Sequence, residues 1–253
     1  MKLMIDGIPV VPEQEESLLQ LVRRIGLDVP QLSRRPLAAK IAGEVFNLNY
    51  VPVRRKDVNE DRPSIRRAMA ASNGEIHLLH YDDPAGKDVY ARTVQFVLFL
   101  AIHQLYPNVK AKMNCTVGPA LFVEVTGADD FCADALKRQV KKLVCQDAPL
   151  IRRRTTTAEA IRDYQSKGNF DKAQLLSWRR EATFDQYVYE DFCDYFYGEL
   201  TPSIGYLSVW DILPADDGFL FVYPDENDPD RVASYTPMPN YIRVNRESKH
   251  FPP

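Results

Sequence analysis

The sequence predicts an α+β fold on three observations: short apolar runs punctuated by turn dipeptides at the N-terminus, one long apolar helical stretch, and amphipathic helical patterns mixed with strand-like runs beyond it. The chain has 253 residues, 45% of them hydrophobic and 26% charged. That is ordinary globular material, long enough for one large domain or a small one followed by a larger one. A net charge of −3 excludes a global positive field that would draw the protein to nucleic acid or anionic lipid, so any such binding rests on a local patch. Cys115, Cys132, Cys145 and Cys193 show no CxxC spacing and no signal-like segment opens the chain, so they are expected to be buried thiols of a cytoplasmic protein, disulfides being the alternative.

The first element is a hairpin, because "KLMIDGIPVV" pairs two short apolar runs around Asp6-Gly7, a dipeptide that favours a two-residue turn. In "EESLLQLVRRIG" the residues Leu18, Leu21, Val22 and Ile25 fall at helical spacing, with acids expected in the first turn, arginines in the last and Gly26 as the stop. "AAKIAGEVFNLNYVPV" returns to two strands broken at Gly43. Strand, strand, helix, strand, strand is the order of a ubiquitin-like β-grasp. The charged run Arg54 to Pro63 is the expected boundary, giving a small domain over 1–60, a larger α+β domain over 64–245 and a tail or linker over 246–253.

"TVQFVLFLAIHQLYP" has too few continuous apolar residues for the ~20 that span a bilayer, so it is a core helix and no membrane association is expected. Thr93 is its expected N-cap and Pro107 its stop. "DDFCADALKRQVKKLV" turns Phe131, Ala135, Leu136, Val140, Leu143 and Val144 to one side. "TTAEAIRDYQSKG" and "NFDKAQLLSWRR" predict two helices joined at Lys167-Gly168. Strands are expected at "ALFVEV", "YLSVWDIL" and "GFLFVYP", and "EIHLLHYDD" alternates like a strand. The basic run "LIRRRTTT", with Lys137, Arg138, Lys141 and Lys142, is expected to be a solvated helix face, phosphate binding being the alternative.

One stretch raises a question of chemistry. "DYFYGELTPSIG" has the glycines, proline and rings of an active-site loop, yet Asp194 and Glu199 are its only groups that ionise near neutral pH. Together with the β-grasp order and "VYARTVQFVLFLAIHQLYPNVK", this loop resembles the N-terminal half of threonyl-tRNA synthetases, a TGS domain joined to a second additional domain that carries editing. The resemblance is closer to the same pair of domains in front of a bacterial nucleoside kinase of the uridine kinase type. There the marks are a Tyr-x-Arg-Ser/Thr start to the apolar helix, a Gly-x-x-x-Lys-x-x-Leu-Leu segment, here Gly168, Lys172, Leu175 and Leu176, and the Asp194 to Gly198 loop.

The resemblance implies that the synthetase editing pairs, His-x-x-x-His and Cys-x-x-x-His, fall on Arg92 and Phe96 and on Phe196 and Leu200. Phenyl and isobutyl groups neither ligate a metal nor move a proton, and arginine stays charged, so no catalytic residue and no metal site is expected. Two readings stand for what remains. Tyr90, Arg92, Lys172, Asp194, Tyr195 and Tyr197 form a ligand site that grips a phosphate and stacks a base of a nucleotide or RNA. Alternatively, the tyrosines are half-buried packing residues and Arg92 pairs with Asp194.

No GxxxxGK[ST] phosphate loop occurs, so ATP and magnesium are expected only in a kinase domain downstream, after "RESKHFPP". No Ser-His-Asp arrangement can be traced. His77-x-x-His80 on a strand points to opposite faces, His103 is expected to be a packing residue and His250 lies in the tail. The sequence thus points to a non-catalytic binding or regulatory module of a nucleoside kinase. Its alternatives are an aminoacyl-tRNA editing hydrolase and a structural module that holds an oligomer together.

Overall fold

The computed structural model describes residues 2–52, 63–107, 109–127, 130–166, 168 and 170–248. The fold is α+β, as expected, and divides into two compact units: one formed by Met1–Ala148 and Glu199–Pro253, the other by Pro149–Gly198. Nearly all of the charged segment taken as a boundary, and His250, lie outside the described residues.

In the first unit the hairpin forms as expected, with β1 (Leu3–Ile5) and β2 (Ile8–Val10) antiparallel around Asp6-Gly7. Helix α1 (Leu18–Arg24) starts differently. The acids precede it, and Ser17 with Gln20 forms a capping box that satisfies two orphan N–H groups reciprocally. Gly26 takes φ +77 just past its end, where a Cβ would be strained. Strands β3 (Ala38–Ile41) and β4 (Glu44–Phe46) pair across Gly43. Helix α2 (Pro63–Ala71) leads to β5 (Glu75–Leu79), which enters the middle of the sheet, parallel to β1 and antiparallel to β3, in the order β2-β1-β5-β3-β4. The sheet therefore ends at Leu79 rather than before residue 60, because the hairpin and the β3–β4 pair need a strand between them to share backbone hydrogen bonds.

Helix α3 (Pro84–Leu105) has its N-cap at Asp83, ten residues before the expected Thr93, with Pro84 in the first turn. Its opening turns are polar, which hid them from apolar periodicity. Strands β6 (Lys110–Val117) and β7 (Ala120–Thr126) form a hairpin with a register shift between Met113 and Cys115. Helix α4 (Ala133–Gln146) buries Ala133, Leu136, Val140 and Leu143 and packs against α3.

The second unit follows. Strand β8 (Ile151–Thr156) pairs with β9 (Thr183–Tyr189), which pairs with β10 (Phe192–Asp194), all antiparallel. The basic run is thus an edge strand and not a helix face; Arg152 pairs with Asp185 on the neighbouring strand at 3.0 Å. Helices α5 (Thr157–Ser166) and α6 (Phe170–Ser177) flank Gly168 as the sequence predicts, and pack Ala160, Tyr164, Ala173 and Leu176 around Phe184.

Back in the first unit, Ile204–Tyr206 forms a 3-10 turn. The strand expected from Tyr206 starts only at Asp211, because the Trp210 indole N–H donates to the Leu207 carbonyl (2.9 Å) and closes a turn. Strands β11 (Asp211–Ala215) and β12 (Gly218–Val222) extend the second sheet to β11-β12-β7-β6, and helix α7 (Pro239–Ser248) packs on β6. Among the described residues no helix is long and apolar enough to cross a membrane.

Candidate functional site

Helix α3 carries the first pair of positions. Phe96 is completely buried, as is Leu200 of the second pair. Arg92 is half-buried, and its Nε donates to the Glu199 carbonyl at 3.0 Å. Next to it, buried Thr93 donates from Oγ1 to the Val89 carbonyl (2.8 Å) and accepts the Thr201 N–H (2.9 Å). A mid-helix threonine usually satisfies its hydroxyl on the preceding turn; here the spare lone pair takes a backbone donor from a distant segment. Tyr90 is a core residue and not a cleft wall: it is fully buried, edge-on to Tyr81, and donates to the Val209 carbonyl at 2.7 Å. Burial holds its phenol pKa well above the ordinary value.

Residues Glu199 to Gly205 are pinned along their whole length. Asn47 Nδ2 donates to the carbonyls of Leu200 (2.7 Å) and Thr201 (3.2 Å), and Asn49 Nδ2 to that of Pro202 (2.7 Å). Gly205 N–H donates to Asp147 Oδ1 at 2.8 Å, and a Cβ on Gly205 would overlap that carboxylate, so this glycine serves close approach rather than a tight turn. Arg35 donates to the Gly205 carbonyl (3.3 Å) and lies over the Tyr206 ring, 3.6 Å from its centroid. Burial, followed by the neighbouring Asp28 charge, pushes the Tyr206 pKa up to about 12.

This segment has the hydrogen bonding of framework. Asn47→Ala removes one donor shared by two carbonyls of buried residues and is expected to cost about 1–3 kcal/mol in denaturant unfolding. An unchanged midpoint would mean that the segment is held by other contacts. The sequence alone gave no reason to single out Asn47, Asn49, Arg35 or Asp147; the only hint was a pair of amides at alternate positions in "FNLNY".

The second unit holds the remaining candidates. Asp194 ends β10, is buried, and accepts the Tyr195 N–H at 2.9 Å. Tyr195 meets Phe184 and Tyr197 edge-on, at 5.1 and 4.8 Å between centroids. Arg179, which the sequence did not flag, donates to the Tyr195 hydroxyl (2.7 Å) and stacks over the same ring at 4.9 Å. That hydrogen bond raises the Arg179 pKa further. Phe196 is half-buried and Tyr197 is exposed. Lys172 lies in α6, and its side chain is outside the described residues.

The histidines sort separately. His77 is exposed on β5, with Asp6 and Glu75 carboxylates at 3.7 and 3.6 Å. His103 is exposed and not a core packing residue. The four cysteines are free thiols but not buried ones: Cys132 and Cys145 are exposed, and Cys115 and Cys193 half-buried. His80, Asp82 and Asp83 bring possible ligand atoms within 4.8 Å of one another, but the Asp83 carboxylate already accepts the His80 backbone N–H (2.8 Å).

No family model matches the chain. In sequence it is similar to threonine–tRNA ligases. That of Porphyromonas gingivalis is 24% identical over 189 residues, covering 73% of this chain and 26% of the ligase. The ligase of Carboxydothermus hydrogenoformans is 24% identical over 188 residues (73% and 27%), and that of Natranaerobius thermophilus 25% over 204 (79% and 29%). The chain spans less than a third of the length of these relatives.

Proposed function

We propose that this chain is a non-catalytic binding or regulatory module related to a threonyl-tRNA synthetase domain, in which the former editing positions have become framework. The observation that carries the reading is the state of three of those positions: Phe96 and Leu200 have no exposed surface, and Arg92 spends its Nε on the Glu199 carbonyl. A hydrolytic site needs a water or metal beside a group able to take a proton. A buried phenyl ring and a buried isobutyl group offer neither.

In this reading Arg92 is the group that a phosphate of a nucleotide or RNA meets, because a half-exposed guanidinium with one N–H committed to a carbonyl keeps further donors. Isothermal calorimetry with uridine, cytidine and their nucleotides at millimolar concentration tests it. Binding is expected, with its free energy weakened by about 1.5–3 kcal/mol in Arg92→Ala, the range for a hydrogen bond to a charged group. No heat with any of them would leave the module a structural role.

The finer half of the proposal places the module in front of a nucleoside kinase of the uridine kinase type, which would supply the ATP and magnesium chemistry. It rests on Tyr90-x-Arg92-Thr93, on the Gly168 to Leu176 segment and on Asp194 to Gly198. A GxxxxGK[ST] motif within some tens of codons after Pro253 in the native gene is the expected finding; a native stop codon there would contradict it. The similarity to threonine–tRNA ligases favours one rival, a residual hydrolase of mischarged tRNA. That rival requires chemistry from a site without imidazole or thiolate at any of the four positions.

A further inference from the structure

The second unit leaves an apolar surface uncovered on α6. Phe170 is 67% exposed, Leu175 73% and, in the turn just after the helix, Trp178 79%. At 100° per residue, Phe170, Gln174 and Leu175 span one arc of about 140°, which Trp178 follows one residue past the helix, while Ala173 and Leu176 occupy the opposite side and are buried. The hydrogen bond and stacking from Arg179 to Tyr195, and the edge contact from Tyr195 to Tyr197, bring Tyr197, 83% exposed, to the Trp178 end of the helix. Isolated exposed apolar residues need no explanation, but four large ones gathered at one short helix mark an interaction site.

We propose that this face pairs with the same face of a second copy of the chain, α6 against α6, antiparallel about a two-fold axis at Gln174. The spacing is self-complementary. Phe170 lies four residues before Gln174 and Trp178 four residues after it. An antiparallel pair centred there sets Phe170 of each copy opposite Trp178 of the other, with Leu175 beside the axis. The charges agree with that direction, since Asp171 is at one end of the face and, just beyond the other, Glu181 is paired with Arg179 and leaves exposed Arg180 as the net positive charge. Antiparallel pairing brings unlike charges together at both ends, and parallel pairing would bring like ones together. Acidic and basic residues are equal in number between 149 and 198, so two copies meet without net repulsion.

The area is sufficient. An aromatic side chain offers about 150–250 Å², so the uncovered parts of Phe170, Trp178 and Tyr197 come to roughly 340–570 Å² on each copy. With Leu175, two copies bury on the order of 1,000 Å², the lower bound for a specific interface. Trp, Tyr, Phe and Arg are also the residues that concentrate binding energy at such interfaces.

Sedimentation velocity of the full chain from about 1 to 200 μM is expected to show a reversible monomer–dimer equilibrium, weakened tenfold or more by Trp178→Glu, a loss typical of an interface anchor. Circular dichroism checks that the variant folds. Independently, Gln174→Cys in a Cys132→Ser, Cys145→Ser background is expected to give a disulfide-linked dimer on mild oxidation, because the axis places the two thiols side by side. A chain that sediments as a monomer throughout would overturn the proposal. So would a dimer of undiminished affinity in Trp178→Glu, or one that Gln174→Cys fails to cross-link.

Discussion

Phe96→Ala is expected to lower the free energy of unfolding by about 3–5 kcal/mol, the range for truncating a fully buried phenylalanine. Phe96 sits on α3 with no accessible surface, on a helix that also buries Val94, Val97 and Leu100. Removing its ring forfeits the transfer term and leaves a cavity that close-packed neighbours close only in part. A ring lining an open cleft would already touch water on one side and would lose much less. Chemical denaturation of the variant therefore separates a filled position from a vacant one, and a loss below about 1 kcal/mol would indicate the cleft.

Gly86→Ala is expected to be the next most damaging change, at about 3 kcal/mol, the upper part of the usual range for overpacking. A Cβ at Gly86 would overlap the carbonyl oxygen of His80, where the chain leaves β5 and turns into α3. Both partners are backbone, so neither can swing aside as a flexible side chain would. The first turn of α3 would have to move, and Arg92, Thr93 and Phe96, one to three turns further on, would move with it. Loss of the Arg92–Glu199 and Thr93–Thr201 hydrogen bonds should then appear as faster amide exchange at Thr201. Unchanged exchange and stability would mean that the helix start adapts locally.

The elements legible in the sequence were those whose signal is local. The Asp6-Gly7 hairpin, the Gly43 break, α4 and the α5–α6 pair were all fixed by turn chemistry or by 3.6-residue periodicity. What escaped was non-local. Strand β5 reads as a strand by itself, but nothing in "EIHLL" says that it inserts between β1 and β3. Strand β8 reads as a helix face in the sequence because an edge strand carrying three arginines lacks apolar alternation, and its identity comes from pairing with β9 some thirty residues on. The start of α3 was lost because its first turns are polar.

The same division holds for the candidate positions. That Phe96 and Leu200 cannot do chemistry follows from their side chains. That they are fully buried, and that Asn47 and Asn49 hold the segment after Gly198 by its carbonyls, depends on residues about 150 positions apart in the chain. Tyr90 shows the cost of reading such a set from sequence, since its hydroxyl serves Val209 in the core and not a ligand.

The most direct test of a site converted to framework is hydrolysis of a threonine-accepting tRNA charged with a wrong amino acid, followed with the purified full chain in the presence and absence of zinc. Deacylation is expected to proceed at the spontaneous rate under both conditions, since none of Arg92, Phe96, Phe196 and Leu200 can generate a nucleophile or hold the ion. Enzyme-dependent turnover that scales with protein concentration and disappears in Arg92→Ala would contradict it.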